Sequence, residues 1–70
     1  MTRFLRYALE KGRKIRTVFL LDGKPVQKTV TVPAFDEQTV TLAWGKKCVT
    51  IPLRDLLACD YARGDTGEEQ

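Results

Sequence analysis

The strongest constraint on the fold is an alternation of apolar and polar residues that turn-forming residues interrupt at short intervals. From Ile15 onward, bulky and β-branched residues recur at every second position, as in a strand with one buried face. Asp22-Gly23, residues 36–38 and residues 45–47 break the pattern with residues typical of tight turns. The sequence therefore predicts short antiparallel strands joined by tight turns.

The first three predicted strands are rich in apolar residues. The first strand covers Ile15 to Leu21. In the second strand three valines share one face, and Pro33 bends or ends the strand because proline donates no backbone hydrogen bond. The apolar faces of the second and third strands consist of Val26, Val30, Val32, Val40, Leu42 and Trp44.

Two shorter strands complete the pattern. Val49, Ile51 and Leu53 alternate with polar or small residues and predict the fourth strand. A single helical turn is expected within residues 53–57, and a last short strand within residues 58–62. The total is five strands.

A short amphipathic helix precedes the strands. Thr2 can cap its N-terminus, and Gly12 can end it in the left-handed conformation. Its apolar face consists of Phe4, Leu5, Ala8 and Leu9. Such a helix is too short to be stable alone, so it must pack on the strands. Because five strongly bent antiparallel strands favour closure, the predicted fold is mainly β: an N-terminal α-helix covering an end or a face of a five-stranded barrel.

The 70 residues form one domain, predicted to cover residues 1–62. Residues 63–70 contain no apolar side chain and are predicted to be a disordered tail. A chain of this length buries only about 60% of its unfolded surface, so its core is thin. Small domains of this kind need an additional source of stability, and we expect association into a homo-oligomer.

The residue types present argue against catalysis and metal binding. The sequence contains no histidine and no serine, so the commonest general base and a common nucleophile are missing. Cys48 and Cys59 are too few to hold a metal, and no other cofactor site is indicated. With no export signal, we expect a cytoplasmic protein whose two cysteines are free thiols packed in the core. No apolar run approaches the roughly 20 residues of a membrane span.

The charge is distributed unevenly along the chain. Residues 1–28 carry a formal charge of +6 and residues 29–70 a charge of −3. A basic face attracts phosphates, although the same charges would also suit a solvated surface without a partner. The candidate phosphate contacts in the basic segment are Arg3, Arg6, Lys11, Arg13, Lys14 and Arg16.

Two aromatic residues lie beside predicted turns. Phe35 precedes the turn at residues 36–38, where an aromatic ring can stack on a nucleobase or pack in the core. Trp44 shares a strand face with Val40 and Leu42, which favours core packing. Phe35 is therefore the candidate stacking residue.

The order of helix, bent strands and short turns resembles the Sm-like small barrel, a form of SH3-like barrel. Within it, the RNA chaperone family Hfq is similar at Phe4-Leu5 with Ala8-Leu9, at residues 18–23 (VFLLDG), and at Phe35-Asp36. Arg54 lies where Hfq has the lysine of a Tyr-Lys-His run, so the resemblance implies a nucleic-acid contact there. Glu37 and Gln38 replace the glutamine and the aromatic residue that follow Hfq's Phe-Asp pair.

WYL domains of bacterial transcription regulators are similar in three other segments. These are residues 8–16 (ALEKGRKIR), Val32-Pro33, and residues 51–56 (IPLRDL). The first resemblance implies a non-catalytic module that binds RNA or single-stranded DNA. The second implies a protein-interaction or ligand-sensing module, and the sequence leaves both open.

Overall fold

The computed structural model describes residues 2–64 of the chain. Residues 65–70, the larger part of the predicted tail, lie outside the described residues. The elements are α1 (Thr2–Lys11), β1 (Ile15–Leu21), β2 (Lys24–Phe35), β3 (Thr39–Trp44), β4 (Lys47–Pro52), a 3-10 turn (Leu53–Asp55) and β5 (Leu56–Tyr61). The predicted helix and five strands are confirmed.

The strands form one antiparallel sheet in the order β4-β3-β2-β1-β5. The 12-residue strand β2 pairs with β1 through its first half and with β3 through its second half. The register between β2 and β3 shifts between Thr31 and Ala34, where Val32 and Pro33 lie opposite the single residue Leu42. Pro33 therefore lies in a bulge, so of the two predicted outcomes the strand bends there and does not end, and it continues to Phe35.

The sheet is open. Within residues 2–64, β4 and β5 lie at its two edges and do not pair with each other, so the expected closure into a barrel is not seen. Helix α1 covers the core face instead, packing mainly on β2 and also on β5. Leu5 and Ala8 of the helix are fully buried, whereas Leu9, predicted on the same face, is 41% exposed.

The hydrophobic core draws side chains from the helix and from all five strands. Its buried members are Leu5, Ala8, Ile15, Phe19, Val30, Val32, Val40, Leu42, Ile51 and Leu56. Leu56 pairs with Phe19 because the register between β1 and β5 shifts after Val18. For this reason β5 begins at Leu56, earlier than predicted, and the 3-10 turn is correspondingly shorter.

Residues with a left-handed backbone conformation lie at the two turns that precede and follow β1. Gly12 has a φ of 64°, and the N–H of Arg13 donates to the carbonyl of Ala8 at 3.2 Å, which closes the end of α1. Asp22 and Gly23 have φ values of 54° and 78°, as a two-residue hairpin turn requires. The predicted hairpin between β1 and β2 is confirmed.

Among residues 2–64, Thr17 is the one buried polar side chain, and its hydrogen bond can be tested by substitution. It is 1% exposed, and its Oγ1 donates to the Lys28 carbonyl at 2.9 Å. Thr17→Val keeps the shape and removes this bond, so we expect the free energy of unfolding to fall by about 1 kcal/mol. Urea unfolding measures the change.

Thr31→Val is the matched control. Thr31 is half-buried, and its Oγ1 lies 3.4 Å from the Ala43 carbonyl, a weaker contact. We expect little change in its unfolding. Equal losses in the two variants would contradict the role assigned to the buried hydrogen bond of Thr17.

Candidate nucleic-acid interface

All predicted basic contacts in the N-terminal segment are exposed. Arg3 and Arg6 lie about one turn apart on α1, and the Arg3 guanidinium carbon is 4.9 Å from the centroid of the Phe4 ring. The remaining cations of the N-terminal segment lie at the C-terminal end of α1 and in the residues that follow it. The exposed set consists of Arg3, Arg6, Lys11, Arg13, Lys14 and Arg16, and Arg54 in the 3-10 turn is exposed as well.

Lys11, Arg13 and Lys14 form a cluster that we call the basic turn. They surround Gly12, whose left-handed conformation reverses the chain between α1 and β1. Because the backbone hydrogen bond from Arg13 to Ala8 fixes this reversal, the three cations are held within one short connection. The basic turn is therefore a concentrated positive charge at the surface.

Arg16 lies beside the basic turn, but its charge is partly compensated. It projects from the face of β1 opposite the buried Ile15 and Thr17. Its Nε donates to the Tyr61 carbonyl at 3.0 Å, and its Nη2 contacts Asp60 Oδ2 at 3.3 Å. Both side chains are largely exposed, so the pair contributes little to stability. The ion pair nevertheless places the Asp60 carboxylate where a phosphate would bind Arg16.

Lys14 lines a groove of about 350 Å³. We call it the Trp44 groove, and its lining residues are Lys14, Thr29, Thr31, Ala43, Trp44 and Gly45. Trp44 packs against the core as predicted, with its ring 5.7 Å from that of Phe19, yet it is only half-buried. Trp44 is not among the site residues that the sequence predicts. Its place at the end of β3, directly before a turn, could have indicated partial exposure. A core-facing side chain at the end of a strand reaches the rim of the sheet.

A second groove, of about 680 Å³, brings together the predicted residues Arg6 and Phe35. We call it the Phe35 groove, and it is lined by Thr2, Arg6, Phe35, Asp36, Glu37, Gln38 and Leu53. The N–H of Leu53 donates to the Gln38 carbonyl at 2.7 Å, which holds the 3-10 turn against the turn between β2 and β3. Arg54 is the next residue in the chain.

The Phe35 groove is acidic at its rim. Asp36 Oδ1 accepts hydrogen bonds from the backbone N–H groups of Gln38 and Thr39, each at 2.8 Å, and these bonds lower the pKa of Asp36. Asp36 is therefore ionised at neutral pH, and Glu37 lies beside it. Two carboxylates line this groove together with the guanidinium of Arg6, and their negative charge disfavours a phosphate. Base stacking on Phe35 stays a prediction.

The two cysteines differ in their surroundings. Both are free thiols, Cys48 exposed and Cys59 half-buried. The expectation that both pack in the core is wrong for Cys48, because Val49 and Ile51 take the inward positions of β4. Burial raises the pKa of Cys59 to about 11, so it is a neutral thiol at physiological pH. Within residues 2–64 no three His, Cys, Asp or Glu side chains are grouped to hold a metal.

No protein-family model, curated protein or solved structure matches the chain. In the described part of the chain, no helix has the length and apolar character needed to cross a membrane. A fold alone does not define a function, so the function must be argued from the geometry of the surface.

The contrast between the cysteines predicts two-phase thiol labelling. At neutral pH, Cys48 should react with a disulfide reagent as an exposed thiol. Cys59 should react far more slowly, because its raised pKa reduces its thiolate fraction on the order of 100-fold and burial limits access. Stopped-flow absorbance measures both phases.

Cys48→Ala should remove the fast phase and leave the slow one. Unfolding the wild-type protein before labelling should give two reactive thiols in one phase. The assignment would be contradicted if protein purified under reducing conditions contained no free thiol. Equal labelling rates for the two cysteines would also contradict it.

Proposed function

We propose that this chain is a non-catalytic, Sm-like nucleic-acid-binding module whose partner is RNA or single-stranded DNA. The observation that carries the proposal is the basic turn, in which Lys11, Arg13 and Lys14 are exposed within one fixed connection. Exposed cations that bind phosphates release counterions, which favours association at low salt. Such contacts position a nucleic acid and do not read its bases.

The order and pairing of the strands support the Sm-like part of the proposal. An N-terminal helix precedes five antiparallel strands, and the long strand β2 is shared between β1 and β3 through a bulge. A 3-10 turn leads into the last strand. These features suit a strongly bent sheet that approaches a small barrel, as the resemblance to Hfq and to WYL domains implies.

The remaining cations extend the proposed phosphate track. Arg3 and Arg6 lie on α1, which ends at the basic turn, and Arg54 follows Leu53 of the Phe35 groove in the chain. We assign Arg16 a smaller share, because Asp60 compensates part of its charge. Arg6 also receives a smaller share, because Asp36 and Glu37 line the same groove.

A second candidate function is ligand sensing or protein interaction, as in a stand-alone WYL-like domain. The observation that favours it is the Phe35 groove, which combines the apolar side chains of Phe35 and Leu53 with charges of both signs. A volume of about 680 Å³ suits a small organic ligand. This candidate leads if nucleic-acid binding is not observed.

We further propose that copies of the chain associate through the edges of the sheet. In the described part of the chain, strands β4 and β5 each pair on one side only, and the unpaired side of a strand can accept another strand. Leu57 of β5 is 47% exposed and lies beside this edge. The short chain also has few core residues with which to stabilise itself.

If these cations bind phosphates, changing Arg13, Lys14 and Arg16 together to Gln should cause a salt-dependent loss of affinity for nucleic acid. Affinity for single-stranded oligonucleotides should fall regardless of base sequence, and the slope of log K against log salt should fall by about 0.7 per lost phosphate contact. Asp60→Asn should strengthen binding, because it releases Arg16 from its partner. Fluorescence anisotropy across a salt series measures these effects.

Lys14→Gln and Lys24→Gln form a matched pair, because they remove the same charge at opposite ends of β1. Only Lys14→Gln should lower the affinity appreciably. The folded state should persist in all these variants, since exposed charges contribute little to stability. Absence of salt-dependent binding by the wild-type protein at low ionic strength would overturn the proposal.

Edge association predicts that Leu57→Glu weakens self-association. Burying a leucine side chain contributes about 1.5–3 kcal/mol, and a carboxylate at the edge would forfeit this. Leu9→Glu is the control, because Leu9 is 41% exposed but lies on α1. Light scattering over a concentration series should show dissociation only for Leu57→Glu. A wild-type protein that stays monomeric at high concentration would contradict the association.

A further inference from the structure

The Phe35 groove lies between helix α1 and the turn that follows β2. Phe35 pairs with the fully buried Val40 across β2 and β3. Because directly opposed side chains share a face of the sheet, Phe35 lies on the core face, which α1 covers. Phe35 and Leu53 are both half-buried and pack against the core. We call these two side chains the apolar floor of the groove.

Polar and charged side chains of both signs line the same groove. Thr2 and Arg6 are four residues apart in α1, which places them on one flank of the helix. Asp36 and Glu37 line the groove from the turn after β2. In the described part of the chain, no ion pair joins Arg6 to either carboxylate, so these charges are available to a ligand.

The Asp36 carboxylate is held in place by its own turn. Its Oδ1 accepts hydrogen bonds from the backbone N–H groups of Gln38 and Thr39, and the Thr39 hydroxyl lies 3.4 Å from the same oxygen. These contacts use Oδ1, so Oδ2 can accept a hydrogen bond from a ligand. A carboxylate that is already positioned loses little conformational freedom when it binds a cation.

The charges of the groove define the ligand that complements them. One guanidinium and two carboxylates leave one negative charge in excess, so the complement is a ligand with one carboxylate and two cationic groups. An α-amino acid with a cationic side chain carries these three groups, and its methylenes can pack on the apolar floor. The groove volume of about 680 Å³ is within the range of small-molecule sites.

We propose that the Phe35 groove binds a free α-amino acid whose side chain carries a positive charge, such as lysine. The α-carboxylate binds Arg6, with the Thr2 hydroxyl beside it. The α-ammonium and the side-chain cation bind the two carboxylates of the turn, and the methylenes cover the apolar floor. The inference rests on the ligand-sensing candidate function, for which it names the ligand class, and it does not depend on nucleic-acid binding.

The experiment compares lysine with three analogues that each lack one charged group. Norleucine lacks the side-chain ammonium, Nα-acetyl-lysine lacks the α-ammonium, and cadaverine lacks the carboxylate. Isothermal titration calorimetry on the full chain measures the four affinities. We expect lysine to bind most tightly and each analogue about tenfold more weakly, the loss expected for one hydrogen bond between charged groups.

Substitutions assign each charged group of the ligand to its partner. Arg6→Gln should weaken lysine binding about tenfold and leave cadaverine binding unchanged, because cadaverine has no carboxylate to lose a partner. Glu37→Gln should instead reduce the preference for lysine over norleucine or over Nα-acetyl-lysine. Lys24→Gln is the control, because it removes a positive charge at the opposite end of β2, away from the groove. All three residues are exposed, so the variants should fold.

The outcomes separate this inference from the functions proposed above. Equal affinity for lysine and norleucine, or equal lysine binding by Arg6→Gln and Lys24→Gln, would overturn the charge assignment and keep a ligand site in the groove. Absence of binding by all four compounds at millimolar concentration would overturn the inference together with the ligand-sensing candidate. Salt-dependent oligonucleotide binding is measured separately, and none of these outcomes alters it.

Discussion

The structure depends on strand β2 and on the bulge that divides its pairing. Its first half pairs with β1 and its second half with β3, and the register shift around Val32 and Pro33 separates the two. A bulge bends a strand and increases its twist, so both halves of the sheet can face one core beneath α1. The full burial of Val30 and Val32 reflects this position at the centre. Both grooves are lined in part by residues of β2.

The elements of the fold could be predicted where local chemistry determines them. The bounds of β1, the Asp22-Gly23 hairpin, the bend at Pro33 and the helix end at Gly12 all follow from residues within a few positions. The start of β5 could not be predicted, because it depends on a register shift against β1. Whether the sheet closes depends likewise on its two edges, which are remote in sequence.

The candidate site was predictable in its charges but not in its geometry. Exposure of the basic residues follows from their type and place, but the partner of Arg16 comes from β5, far along the chain. The Trp44 groove requires three segments to converge, at Lys14, β2 and the end of β3. Periodicity alone assigns Trp44 to the core, and that assignment is incomplete because strand ends reach the rim.

The end of helix α1 has a further consequence for the basic turn. Peptide dipoles sum along a helix to a partial negative charge at its C-terminus, where Lys11 lies in the last turn and Arg13 follows. Each such cation gains about 0.3–1 kcal/mol at low ionic strength, which offsets the mutual repulsion within the cluster. Salt screens this macrodipole interaction as it screens attraction to phosphates. Ionic strength therefore acts in the same direction on the stability of the helix end and on the affinity proposed for the surface beside it.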